Sequence, residues 1–471
     1  MDLDLRAMGS MIITYFTSPK ISQLAYQSGF VQRSSAKLSG FVFLQAFVFA
    51  SLEHVSLSLS KVAQSCADLG LTISEQGLDQ RINPRSVAFM EAMFAEAMRL
   101  LVNQQPLLVS VLAQFSAVNL IDSSGIPLPA SLAELYPASR NHEAANLKLR
   151  VVFDFLYGRL QQLLFAPGKE ADQGFAAYLS TVKAGSLNIM DLGHFNLSNF
   201  QAIADQEAFY LSRYKHRTTV LTPEGVELDL LDLWSGQADS VVELAVLVGQ
   251  SRPHRLPCRL VAFRLKQEVA DQRRRKAKQA AKRRGETVSP ATLALLDWSI
   301  YLTNAPAERL TPPQIATLYR VRWQIELLFK LIKSYFGLRR FAQLRPERLL
   351  TELYAKLIAL VLTLFLVGPL RLPRADQPYR EISPVKVRQI CQRFARTLSQ
   401  LMGDLDRLIQ TLRLMIQHIL TFGFKQQRRK NPNICYALSL VSAMLDLPPQ
   451  LEQPLAEFFV LDFSDIVPAP T

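Results

Sequence analysis

The chain has 471 residues, enough for about three structural units with a substantial buried core. Hydrophobic residues make up 49% and charged residues 20% of it, which excludes a disordered or collagen-like chain. The 53 Lys and Arg residues exceed the 40 Asp and Glu residues, so the net charge is +13. A basic protein of this kind is expected to bind an anionic partner, either nucleic acid or an acidic membrane surface.

The positive charge is concentrated in one stretch. Residues 252–286 hold 13 Lys or Arg and 3 Asp or Glu, which accounts for most of the net charge. The helix-forming part, 272–284, contains four consecutive basic residues: Arg273, Arg274, Arg275 and Lys276. Two interpretations are open at this point, a surface that binds DNA backbone and an ordinary solvated helix.

Membrane and secretory features are not expected. The four cysteines, Cys66, Cys258, Cys391 and Cys435, are far apart in the sequence, which argues against a zinc ribbon or a disulfide framework and fits a reducing cytoplasm. The N-terminus begins acidic, where a signal peptide would be basic. The longest apolar run, 357–370, is shorter than the roughly 20 residues needed to cross a bilayer and predicts a buried helix.

Helical and strand patterns alternate in broad blocks. Residues 38–102 are helical, and 74–82 could be the reading helix of a helix-turn-helix; a small bundle packed on the next domain is the alternative. Apolar and alternating runs then predict a β meander, a helix, and a further strand that ends in an acid. These segments are 117–122, 147–156 and 159–167 for the meander, 172–184 for the helix and 186–193 for the last strand.

The second half continues with a helix, a strand and then a second β-rich region. These lie at 195–208, 208–215 and 218–265, and the strand 297–306 returns to the first sheet after the basic stretch. Helices follow at 311–335, 345–367 and 384–422. The class is therefore α/β, and we expect five segments: 1–105 helical and DNA-binding, 106–217 core, 218–295 β-rich insertion, 296–372 core, and 373–471 helical with a possible dimerisation role.

The helix at 311–335 has two distinct faces. Apolar residues recur at helical spacing on the face expected to meet the core: Val321, Ile325, Leu328 and Ile332. A second stripe places one carboxylate among cations: Tyr319, Arg322, Glu326, Lys330 and Lys333. An exposed ladder of i, i+4 ion pairs is the ordinary explanation of this stripe.

Two further acids suggest a different explanation. Asp122 and Asp191 each follow a short apolar strand, and we expect each to terminate it. A lone Asp in that position is usually a turn residue or helix cap. Together with Glu326, however, they would supply the hard oxygen ligands that Mg²⁺ prefers.

The spacing of Tyr319, Arg322, Glu326 and Lys333 resembles the hallmark of a known family. Tyr, two residues, Arg, three residues, Glu, six residues and Lys is the pattern of DDE transposases of bacterial insertion sequences, in the insertion-sequence-four group. Trp323 and Lys330 also match common occupants. The resemblance extends over about residues 38–370.

The resemblance implies an RNase H-like catalytic core interrupted by a β-rich insertion and flanked by helical regions. It implies that Asp122, Asp191 and Glu326 are catalytic and hold two Mg²⁺ ions, with Mn²⁺ able to substitute. DNA contacts are implied for Tyr319, Arg322, Lys330, Lys333 and Arg213, on the strand after the second acid. Trp298 would stack on a flipped base, with a core tryptophan as the alternative.

The function implied is a cut-and-paste DNA transposase. Its partners would be double-stranded DNA, as terminal inverted repeats and target, and a second copy of the chain in a homodimeric synaptic complex. We expect no membrane association and a cytoplasmic, nucleoid-associated location. Two alternatives stay open: an inactive or domesticated DNA-binding derivative, and another RNase H-like nuclease or resolvase.

Overall fold

The fold was analysed in a computed structural model. It describes residues 3–33, 37–102, 106–107, 109–139, 144–235, 237, 239–250, 255–338, 345–371, 380–425 and 434–443. The chain forms two compact units. The helical unit comprises the described residues of Met1–Leu107, Ser123–Glu170 and Glu326–Asn433; the sheet unit comprises those of Leu108–Asp122, Ala171–Ile325 and the segment that begins at Ile434.

Seventeen α-helices occur within the described residues. Most begin at a Ser, Asn, Asp or Thr that caps the first turn, or carry Pro in that turn. In chain order they are α1 (Leu5–Thr17), α2 (Pro19–Gln27), α3 (Gly40–Glu53), α4 (Leu59–Asp68), α5 (Glu75–Arg81), α6 (Pro84–Leu100), α7 (Ser110–Ala113), α8 (Leu197–Asp205), α9 (Leu230–Ser235), α10 (Gln267–Arg283), α11 (Pro290–Leu295), α12 (Pro312–Val321), α13 (Trp323–Lys330), α14 (Pro346–Val367), α15 (Pro384–Gln400), α16 (Leu405–Phe422) and α17 (Ile434–Ala443).

Helix α14 forms the centre of the helical unit. It is buried along almost its whole length and packs against α3, α6 and α15. Even Lys356 is fully buried, where its Nζ lies 2.7 Å from Glu352 Oε1 and donates to the Val55 carbonyl at 3.3 Å. Pro346–Arg371 is long and apolar enough to cross a membrane, but 89% of its most apolar window is buried inside the protein, as in the core helix of a globular protein.

Helices α4 and α5 occupy the place of the expected helix-turn-helix. They pack on each other, and Ser74 caps α5. Leu78 of α5 is buried, whereas Glu75 and Gln76 are exposed. The helices are thus confirmed, while a reading role for α5 stays a prediction.

Nine strands form one sheet in the described part of the chain. Its hydrogen-bonded order is β3-β2-β1-β4-β5-β9-β8-β7-β6. Strand β1 pairs in parallel with β4, and β4 with β5. With the helices around it, this sheet confirms the α/β class, and it is consistent with an RNase H-like core. The strands are β1 (Val118–Leu128), β2 (Ala145–Asp154), β3 (Arg159–Pro167), β4 (Leu187–Met190), β5 (Phe209–Arg213), β6 (Val220–Leu221), β7 (Val241–Val248), β8 (Leu256–Arg264) and β9 (Trp298–Thr303).

Several sequence expectations need correction. Asp122 does not terminate its strand, because β1 continues in extended conformation through the polar residues after it to Leu128. The helix expected at 172–184 is instead two short 3₁₀ segments, Asp172–Gly174 and Ala177–Thr181. Phe175, which lies between the two segments, and Tyr178 are both buried and in edge-to-face contact there.

Two further observations concern longer segments. Strand β8 of the expected β-rich insertion joins the sheet through β9, with which it forms six residue pairs. The helix expected at 384–422 is two helices, α15 and α16, because Asp404 caps the second with its side chain. The five-segment division of the chain stays a prediction, and its last residues, 444–471, lie outside the described ones.

Candidate active site

Two carboxylates stand side by side at the carboxyl end of the β1 and β4 pairing. Ile121 lies opposite Met190 in the parallel register, and the next residue in each chain segment is Asp122 or Asp191. Residues that follow a matched pair in parallel strands emerge at the same edge. Asp122 is only 7% exposed, so this edge holds an acid that is largely removed from water.

The carboxylate of Asp191 is fixed by the backbone that follows it. Its Oδ1 accepts hydrogen bonds from the N–H groups of Gly193 at 2.9 Å and His194 at 3.3 Å. Asp191 thereby caps the 3₁₀ turn Leu192–His194. A Cβ at Gly193 would lie 3.1 Å from Asp191 Oδ1, closer than an ordinary contact, so the absence of a side chain there suits the turn.

His194 completes a cluster that the sequence pattern did not predict. Its side chain is 1% exposed, and its Nε2 lies 3.9 Å from Asp122 Oδ1. One donor atom each from Asp122, Asp191 and His194 lie within 4.8 Å of one another. The signal that could have found it is the Asp-x-x-His spacing in IMDLGHF, which places both side chains on one tight turn.

Arg322 reaches the same edge from the end of α12. Its Nη1 lies 3.3 Å from Asp122 Oδ2, and the residue is 7% exposed. Arg322 sits at the short interruption between α12 and α13, where its N–H bonds to the Tyr319 carbonyl and its carbonyl accepts from Ile325. These i, i+3 bonds tighten the chain locally, so the single long helix expected at 311–335 is divided here.

Tyr319 and Arg213 lie beside this group. The Tyr319 ring is 5.1 Å from the Tyr301 ring, and Arg213 lies opposite Tyr301 in the antiparallel register of β5 and β9. Burial raises the pKa of Tyr319 to about 12, against the opposing effect of the nearby Arg322 and Arg213 charges. Its hydroxyl is therefore protonated at neutral pH and available as a donor.

These donors form a set that a divalent cation accepts. Carboxylate oxygens suit Mg²⁺ and Mn²⁺, and imidazole nitrogen suits first-row transition ions. The site lies where the pairing of β1 with β4 ends.

Residues 113–362 match the family described as "Transposase DDE domain", just over half of the chain. The chain belongs to this family. It is 27% identical over 450 residues to the transposase for insertion sequence element IS231C of Bacillus thuringiensis subsp. berliner, covering 90% of this chain and 93% of that one. It is 23% identical over 470 residues to the transposase for IS1151 of Clostridium perfringens, covering 94% and 98%.

Among solved structures, the chain aligns with a piggyBac transposase synaptic complex with hairpin DNA. The TM-score is 0.40 and the identity 10%, with 98% of this chain and 87% of the other covered.

The resemblance to DDE transposases of insertion sequences is thus confirmed, and the chain is a DNA transposase, an enzyme of DNA cleavage and strand transfer. The family and the acidic cluster together indicate that the transposase uses a divalent metal.

The remaining signature residues of the transposase lie in the helical unit. Glu326 is half-buried on α13, one helical turn after Arg322 in the sequence, and Lys330 is exposed at the end of that helix. Lys333 lies in the π-helical turn Leu331–Tyr335, which Gly337 follows with a φ of 69°. Their catalytic and DNA-binding roles stay predictions.

The four consecutive basic residues of the transposase do not share one environment. Arg273 is 8% exposed and donates from Nη1 to the Trp298 carbonyl at 3.4 Å. Burial, reinforced by the charge of Arg213, lowers its pKa to about 10. Arg274 pairs with Asp271 and with Asp297, while Arg275 and Lys276 are exposed.

Trp298 begins strand β9 and is 5% exposed. Its ring stacks on Trp234, with 4.8 Å between centroids and 26° between planes. The guanidinium of Arg264 lies 4.9 Å from the Trp298 ring. The Trp298 indole thus contacts both Trp234 and Arg264. Its stacking on a flipped base stays a prediction.

Proposed function

We propose that this transposase releases its element by cleaving DNA at terminal inverted repeats and joins the freed ends to target DNA, a cut-and-paste reaction. The observation that carries the proposal is the placement of Asp122 and Asp191 on neighbouring parallel strands, with donor atoms within 4.8 Å together with His194. Asp191 also caps a 3₁₀ turn and Asp122 also pairs with Arg322, but their closeness at one edge of the sheet suits a shared cation.

Asp122, Asp191 and Glu326 would hold two Mg²⁺ ions, with Mn²⁺ able to substitute. When bound, such ions lower the pKa of the attacking hydroxyl and stabilise the leaving oxygen. The carboxylates would hold this site in place: Asp191 is oriented by two backbone N–H groups, and Asp122 is largely buried. Glu326 is assigned from the signature spacing.

Cations around the acids would position the DNA strand. Arg322 contacts Asp122, and together with Arg213 and the protonated hydroxyl of Tyr319 it would contact flanking phosphates. Lys330 and Lys333 would extend this contact. Phosphate contacts set the register but do not read sequence. The N-terminal helices, with α5 as the candidate, would read the repeats.

The exposed face of α10 would bind DNA backbone without sequence preference. Arg275 and Lys276 are exposed there, as are Lys278, Lys282 and Arg283. Arg273 and Arg274 would support this helix from its inner face, through the Trp298 carbonyl and the Asp271 and Asp297 carboxylates.

We also propose that the transposase acts as a homodimer on two paired ends, in the cytoplasm at the nucleoid. Both ends of an element must be cut and joined together for it to move, which a dimer with one site for each end would achieve.

The experiment uses the purified full-length chain and a supercoiled plasmid that carries the element with its flanking DNA. We expect Mg²⁺-dependent double-strand release of the element and its insertion into a second plasmid. Binding of the ends without nicking in Mg²⁺ or Mn²⁺ would favour the inactive derivative. Cleavage of branched DNA that lacks the ends, with no strand transfer, would favour a resolvase.

A further inference from the structure

We propose that His194 is a direct ligand of the metal site, so that the site is a mixed nitrogen and oxygen site with a preference for Mn²⁺ and similar transition ions. This inference rests on the proposed metal binding by Asp122 and Asp191. The inference adds a new ligand, because the family pattern that assigns the acids does not include His194.

The distances fit a shared cation. His194 Nε2 and Asp122 Oδ1 are 3.9 Å apart, which is beyond hydrogen-bond distance. Two donors on one ion, each at about 2.1 Å, are separated by roughly 3 Å when adjacent and roughly 4 Å when opposite. A separation of 3.9 Å therefore suits two ligands of the same ion better than a hydrogen bond between them. The three donor atoms lie within 4.8 Å of one another, so they need to move only slightly closer to share one ion.

The imidazole is also held in place before any ion binds. The backbone N–H of His194 donates to Asp191 Oδ1, so one turn fixes both candidate ligands. The ring is in edge-to-face contact with Phe175, with centroids 6.0 Å apart, and only 1% of the residue is exposed. Little side-chain entropy is lost on metal binding, because the rotamer is already fixed by packing.

A nitrogen ligand changes which ion is bound most tightly. Mg²⁺ prefers oxygen donors and gives up its water reluctantly, whereas imidazole suits transition ions. We therefore expect Mn²⁺ to bind this transposase more tightly than Mg²⁺. The difference between the two affinities should become smaller when His194 is replaced.

The test is Mn²⁺ binding to the full-length chain, followed by electron paramagnetic resonance and electron spin-echo envelope modulation, which detects nitrogen bound to the ion. Four proteins are compared: wild type, His194→Gln, wild type with ¹⁵N-histidine, and His216→Gln. His216 is the matched control, since it lies in the same unit and bonds to Thr292 at 3.2 Å, away from the acids. If glutamine at 194 impairs folding, His194→Phe keeps a ring against Phe175.

We expect ¹⁴N modulation in wild type and His216→Gln, a shift to the ¹⁵N frequency on labelling, and its loss in the position 194 variants. Mn²⁺ affinity should fall about tenfold in those variants and Mg²⁺ affinity by less than about threefold. Mn²⁺ bound without nitrogen modulation, or with modulation that survives at position 194, overturns the inference but leaves the acids as the site. Failure of wild type to bind Mn²⁺, with and without DNA, overturns both this inference and the proposed metal site.

Discussion

Arg322 Nη1 lies 3.3 Å from Asp122 Oδ2, so the arginine of the predicted signature contacts the first of the proposed catalytic acids. Both residues are only 7% exposed, and interactions between charges are strong in such surroundings. In the absence of metal, the guanidinium neutralises a carboxylate that a cation would otherwise bind. Arg322 contacts Asp122 and is proposed to contact a DNA phosphate as well, so metal binding should be coupled to DNA binding.

Replacing Arg322 by Gln should have opposite effects on metal and DNA. Without the competing cation, Mn²⁺ should bind the DNA-free transposase about tenfold more tightly. DNA-end nicking should nevertheless fall by about a hundredfold, because the shorter, neutral side chain would no longer hold a phosphate. Isothermal titration and a nicking assay measure the two effects, with Lys183→Gln, an exposed cation of the same unit, as control. Unchanged or weaker metal affinity would show that Arg322 does not compete for Asp122.

The exposed face of α10 should account for salt-dependent DNA binding. The double variant Arg275→Gln, Lys276→Gln should weaken binding to any duplex, and the slope of log K against log salt should become shallower by about 0.9 for each phosphate that the variant no longer neutralises. The control is Arg274→Gln, which breaks pairs with Asp271 and Asp297 and should lower the melting temperature but leave the slope unchanged. An unchanged slope in the double variant would mean that α10 is only a solvated helix.

We expect the main role of Trp298 to be stabilisation of the fold rather than contact with DNA. Trp298→Ala removes a ring stacked on Trp234 and should cost about 3 to 5 kcal/mol of unfolding free energy. Trp298→Phe keeps an aromatic ring and should lose less than half of that. Urea denaturation of both variants measures the difference. If alanine left stability unchanged while abolishing cleavage of the DNA ends, the ring would serve the substrate rather than the core.

Alkaline pH should destabilise the transposase partly through Tyr319. Its folded pKa is raised from the ordinary 10 to about 12, so above pH 10 the unfolded chain loses a proton that the folded chain keeps. The free energy of unfolding should therefore fall between pH 10 and pH 12, by at most about 1.4 kcal/mol per pH unit from this group. Tyr319→Phe should show a shallower fall in urea titrations at pH 9 and pH 11. Equal slopes would mean that the phenol ionises freely in the folded state.

The sequence was sufficient for the order of the elements because apolar periodicity is local. The meander β1 to β3 and the short strand before Asp191 were predicted nearly in register, since each is an apolar or alternating run ended by turn residues. The continuation of β1 beyond Asp122 was missed because Ser123, Ser124 and Gly125 favour turns locally, while pairing in the sheet holds them extended.

The site was predicted in part for a related reason. The three acids were proposed from the family signature and from positions after strands, and their catalytic role stays a prediction. His194 was missed because the Asp-x-x-His spacing is a weak signal by itself, and only the register of β1 and β4 brings this turn to Asp122. Likewise, the basic run 273–276 was one feature in the sequence, whereas the structure buries Arg273 and pairs Arg274, because a helix presents successive residues to different surroundings.

The most direct test of the central claim is single-turnover nicking of a transposon-end duplex by wild type and by Asp122→Asn, Asp191→Asn and Glu326→Gln. End binding is measured on the same preparations in Ca²⁺, so that a loss of cleavage is separated from a loss of binding. We predict that each variant binds the ends within about threefold of wild type but nicks them at least about a thousandfold more slowly in Mg²⁺. A variant that bound and nicked the ends as wild type does would contradict the assignment of that carboxylate to the active site.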